Sequence, residues 1–110
     1  MQVRIGLSAL HELRAASHYY NDQRDGLGEE LLDEVQHVST LLSEHPDMGR
    51  KLFAGRRALR INRFPYRVVY LREETVIRIL AVAHVSQRPF YWRHRVEEER
   101  PEYHAALMAA

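Results

Sequence analysis

A chain of 110 residues with ordinary apolar and charged fractions has room for one hydrophobic core and a single domain. No run approaches the ~20 apolar residues of a membrane span, the opening Met-Gln-Val-Arg-Ile-Gly lacks the apolar core of a secretory signal, and zero cysteines exclude a disulfide framework and a thiolate metal site, so a cytoplasmic protein is expected. The net charge of +1 hides a division: residues 1–49 hold nine acids and three arginines, residues 50–95 eleven arginines and one lysine against Glu73 and Glu74, and residues 96–110 four glutamates and one arginine.

Gln2 to Leu7 alternates polar and apolar, which predicts a short strand with Val3, Ile5 and Leu7 on one side. Ser8 is placed to cap the helix that follows. Leu10, Leu13, Ala16, Ser17 and Tyr20 recur at helical spacing to about Arg24. Asp25-Gly26-Leu27-Gly28 interrupts the pattern. A second helix then carries Leu27, Leu31, Val35, Val38 and Leu42 on one stripe, and Pro46 stops it. Two helices joined by so short a loop predict an antiparallel hairpin.

The period then changes. Arg57 to Asn62 alternates, Phe64-Pro65-Tyr66 breaks the run, Arg67 to Leu71 reads as a strand, and Glu73-Glu74 fits a hairpin turn. Thr75 to His84 is apolar on both faces except Arg78, as a central strand would be. Residues 96–110 read as a tail or a short helix, with Pro101 able to begin a helix over 102–109. The expected fold is α+β: an N-terminal strand, an antiparallel helical hairpin, then a three-stranded antiparallel meander (βααβββ). The helices cover one sheet face, and the other face is expected to lie open and lined with arginines. Arginine stays charged and grips phosphate or carboxylate in a planar fork, so the expected ligand is polyanionic.

Several segments, taken in order, resemble one family. They are Tyr19-Tyr20-Asn21-Asp22-Gln23, Gly26 through Val35, Glu44-His45-Pro46-Asp47-Met48-Gly49, Arg63 through Tyr70, Ile79 through His84, and Arg88-Pro89-Phe90-Tyr91-Trp92. From residue 2 to about 95, the toxin domain, the chain is similar to the RelE/ParE superfamily of type II toxin–antitoxin modules. The resemblance implies a growth-arresting toxin silenced by a cognate antitoxin. It also implies one of two activities: RelE-like members cut messenger RNA on the ribosome without a metal, and ParE-like members block DNA gyrase without being nucleases. The ribosome-dependent endoribonuclease is the first expectation and the gyrase inhibitor the alternative. A member that only binds its antitoxin is a third possibility.

Metal-free RNA cleavage needs a base for the 2′-hydroxyl, cations for the crowded phosphate, and an acid for the leaving oxygen. The resemblance places Arg60 and Arg67 in the cationic role and Tyr91 at the catalytic tyrosine. His84, at the end of the central strand, is placed for proton transfer. Arg57, Arg63 and Arg88 are expected to hold nucleic acid. Two positions depart from the RelE-like pattern: Ala58 stands where a lysine is expected, and Val85 where an arginine is expected, with Arg88 nearby. The Glu-His-Pro-x-Met-Gly run is the more ParE-like feature. No cofactor is implied. No metal site is implied either, because His84, His94 and His104 lie ten residues apart, a spacing that fits no helical ligand pair, and His11 and His18 are too sparse a set.

Overall fold

The structure, a computed structural model, describes residues 1–95 and the backbone of residues 102–104. The chain runs β1 (Gln2–Gly6), α1 (Leu7–Gln23), α2 (Leu27–Glu44), β2 (Arg50–Lys51), β3 (Arg56–Arg60), β4 (Tyr66–Arg72), β5 (Val76–His84) and β6 (Glu102–His104). The strands form one sheet in the order β2-β3-β4-β5-β1-β6. The expected antiparallel meander is β3-β4-β5. β1 lies parallel to β5, from Gln2 opposite Val76 to Ile5 opposite Ile79, so the sheet is mixed and β5 is internal.

Alternation in β1 turns Val3 and Ile5 into the core. Ser8 does not cap α1: the cap lies two residues earlier, at Gly6, with no side-chain cap. Between the helices Gly26 adopts φ 86°, a left-handed turn that suits glycine. Gly28 opens the second helix against the first. Its amide donates to Asn21 Oδ1 at 2.8 Å, and a Cβ there would collide with the Ser17 carbonyl and the Asn21 side chain. The α2 stripe Leu31, Val35, Val38 and Leu42 is buried with Leu10 and Leu13 of α1 against Ile5, Val68, Ile77 and Ile79 of the sheet. Each such side chain stabilises the fold by about 1.5–3 kcal/mol when fully buried.

Two expectations are corrected. The sheet face away from the helices is not simply open. Trp92 packs with Ala58, Val69, Leu80, Ala81 and Ala83 in a second core, flanked by Leu52, Leu71 and Tyr91. Small residues on the strands leave room for the indole, and the arginines of that face lie around its margin. The helix expected over 102–109 is also not seen at its start, where residues 102–104 pair antiparallel with β1. The remainder of the expected tail or helix over 96–110 lies outside the described residues.

Candidate functional site

Most arginines of the basic half fall into two sets; Arg56 and Arg93 instead donate to the backbone carbonyls of Ala54 and Phe90. The first set is tied to acids. Arg63 pairs with Glu30 and Glu34 of α2, and the Glu30 carboxyl is held below its ordinary range, first by the Arg63 hydrogen bond. Arg72 pairs with Asp47 at 3.0 Å and Arg78 with Glu73 at 3.1 Å. Arg57 donates to the carbonyls of Asp47 and Gly49, at 3.0 and 2.9 Å, and so fastens the loop after α2. Arg57 and Arg63 therefore work within the fold, as part of the neutralisation that segregated charge permits.

The second set is Arg50, Arg60, Arg67 and Arg88. The side chain of none of the four makes an ion pair or hydrogen bond among the described residues. Strand register explains why they gather. Arg60 of β3 stands directly opposite Arg67 of β4, and Arg50 of β2 stands opposite Ala58 of β3. Cross-strand partners share a face, and Ala58 and Arg60, two apart, share one as well. A hollow of about 240 Å³ is lined by Arg50, Ala58, Arg67, His84, Arg88 and Tyr91, among others. Arg60 lines an adjoining hollow with Met48, Arg50 and Arg67. Of the seven residues expected at the site, Arg67, His84, Arg88 and Tyr91 meet in the first hollow and Arg60 borders it. Arg50 was missed, because the two-residue strand that positions it leaves no periodic signal.

Both proton-transfer candidates have hydrogen-bond partners. The Tyr91 hydroxyl donates to Glu12 Oε2 at 2.6 Å, and Arg95 binds the same carboxylate through both terminal nitrogens, at 2.8 and 3.1 Å. Burial, followed by the Glu12 carboxylate, pushes the Tyr91 phenol well above its ordinary range. At His84 the Ser86 amide donates to Nδ1 at 3.0 Å, with the Ser86 hydroxyl 2.7 Å away. That contact engages Nδ1 of the ring and leaves Nε2 as the other ring nitrogen.

Glu12 has a structural task as well. β1 pairs with β5 only as far as Ile79, which leaves the next stretch of that edge without a strand. Val82 donates its amide to Glu12 Oε1 at 3.1 Å, and the Leu80 carbonyl accepts from Arg95 at 3.0 Å. An acid from α1 and a base from the C-terminal segment thus take the place of a strand.

The sequence matches the ParE toxin of the type II toxin-antitoxin system, parDE, over residues 3–89. The chain belongs to the ParE toxin family. It is thus the toxin of a type II system, which pairs each toxin with a cognate antitoxin. A solved structure of the chromosomal ParDE TA system from P. aeruginosa has the same fold, with a TM-score of 0.58 at 21% identity, covering 76% of this chain and 95% of that one. No curated protein sequence matches the chain. The ParE assignment gives Ala58 a meaning. This residue, where a RelE-like lysine is expected, is buried between Arg50 and Val69 and forms the floor of the hollow. Among the described residues no group of three His, Asp or Glu is placed to hold a metal, and no helix is long and apolar enough to cross a membrane.

Proposed function

We propose that this ParE-family chain arrests growth by docking on DNA gyrase, without nuclease activity, and is silenced by its antitoxin. The observation that carries this reading is the Tyr91–Glu12 hydrogen bond at 2.6 Å. Cleavage of RNA requires a base and an acid besides cations. Here the phenol is bound to an internal carboxylate, and Nδ1 of His84 is engaged by the Ser86 amide. What remains is a cationic surface suited to binding. Family membership points the same way.

The test is a gyrase supercoiling assay with the purified chain, run beside 5′-end mapping of transcripts after its induction in cells. Inhibited supercoiling with uncut transcripts is expected. Codon-positioned cuts that disappear in Arg67→Ala would overturn the proposal in favour of the RelE-like endoribonuclease. That second reading draws its support from the meeting of Arg67, His84, Arg88 and Tyr91 around one hollow.

A further inference from the structure

Arg60 and Arg67 are in direct register on one sheet face, with no carboxylate between them among the described residues. Like charges directly opposite destabilise a sheet. Neighbouring strands lie about 4.8 Å apart, so the two guanidinium groups can close on a single phosphate from both sides. Arg50 and Arg88 extend the same surface. Elsewhere Arg24, Arg57, Arg63, Arg72, Arg78 and Arg95 all lie within ion-pair distance of an acid. Arg14, Arg56 and Arg93 also lack an acid at that distance among the described residues, so what distinguishes this face is the register that sets Arg60 opposite Arg67, where a polyanion would supply the counter-charge.

Aromatic rings stand at the border of this surface. Phe53 and Phe90 are 42% and 43% exposed, although both belong to a cluster around the buried Trp92. Phe53 stacks on Trp92 at 5.7 Å, and Phe90 meets Phe53 edge-on at 5.2 Å. Ala54 and Phe90 hold φ of 51° and 61°, the left-handed region that side chains rarely adopt. The two tight loops thus keep large apolar rings at the surface, Phe90 beside the unpaired cations of the first hollow and Phe53 under Arg56. Cations that follow a phosphate chain, next to rings on which unpaired bases can stack, are the two components of single-strand binding.

We propose that the surface formed by Arg50, Arg60, Arg67 and Arg88 with Phe90 binds single-stranded DNA. The arginines take the phosphates and the Phe90 ring takes a base. The inference rests on the gyrase reading in one respect: DNA is the nucleic acid that a gyrase-bound toxin meets. An acidic peptide would satisfy the arginines but would leave the Phe90 ring without a planar partner.

The experiment is fluorescence anisotropy of the full chain with labelled 12-nucleotide single strands across a salt series. Binding of DNA should weaken with salt. Arg60→Gln, Arg67→Gln and Arg88→Gln should each reduce the log–log salt slope by about 0.7. Phe90→Ala should lower affinity roughly tenfold with the slope unchanged. Arg24→Gln and Arg72→Gln, whose parents are paired with Glu30 and Asp47, should leave the slope as it is. Salt-insensitive binding, slopes indifferent to Arg60 and Arg67, equal affinity for duplex, binding of RNA alone, or equal affinity for a polyglutamate peptide would each overturn the proposal. A chain that inhibits supercoiling and ignores the oligonucleotide removes this inference and leaves the gyrase reading standing. A chain that binds DNA but spares gyrase does the reverse.

Discussion

Gly49 donates its backbone amide to the Tyr70 hydroxyl at 2.9 Å, and the same hydroxyl donates to the Pro46 carbonyl at 2.8 Å. One phenol, fully buried in β4, thereby ties down the loop that leaves α2. A Cβ on Gly49 would lie 2.8 Å from both the ring and its oxygen. The glycine of the Glu-His-Pro-Asp-Met-Gly run is thus a close-approach residue. Tyr70→Phe strands a buried amide and a carbonyl and should cost about 1–3 kcal/mol. Gly49→Ala should also destabilise, by forcing the ring out of place. Urea unfolding of both variants checks the prediction, and unchanged midpoints would refute it.

Glu12 and Tyr91 separate structure from chemistry. Glu12→Ala removes the acceptor for the Val82 amide, the Tyr91 hydroxyl and Arg95 together, and should cost about 2–3 kcal/mol. Tyr91→Phe removes a single donor and should cost about 1 kcal/mol. On the docking reading Tyr91→Phe keeps its toxicity. Growth curves after induction, with expression levels matched, decide the matter.

Arg60→Thr should raise stability. It relieves the cross-strand repulsion with Arg67 and places a good strand former at the end of β3. The gain expected is up to about 1 kcal/mol, read as a higher thermal midpoint. The same variant should bind polyanions less well. A loss of stability would show that the two cations do not repel one another.

Alkaline pH should loosen the fold through tyrosine. Burial, then its neighbour Tyr20, pushes the Tyr66 phenol up to about 12 from an ordinary value of 10.0. Tyr91 is shifted in the same direction. A raised value means that the fold favours the protonated phenol. The stabilisation is complete below pH 10 and is lost as pH rises through the folded values. Thermal midpoints should therefore fall between pH 10 and 12, and Tyr66→Phe should flatten that fall.

Much of the architecture was legible because periodicity reports which face a side chain takes. The α2 stripe and the alternation in β1 and β3 identified the core directly. Periodicity does not report neighbours. Nothing local says that β1 inserts beside β5, or that the two residues of β2 pair with β3 at all. The arginine cluster was legible as composition, but its division was not. Whether an arginine is neutralised depends on acids far away in sequence, such as Glu30 for Arg63 and Glu12 for Arg95, 33 and 83 residues apart. Trp92 was legible as an aromatic patch. Its use as a cover became visible only once Ala58, Ala81 and Ala83 were found beneath it.

The parallel pairing of Gln2 with Val76 also governs how the chain is made. The first strand to leave the ribosome has no partner until the fifth has followed it, so the growing chain cannot close its sheet from the N-terminal end. Non-local pairings of this kind form late, after the cost of closing a long loop has been met. β1 therefore stays without this partner while the helical hairpin and β2, β3 and β4 are made, and the sheet closes only once β5 has formed.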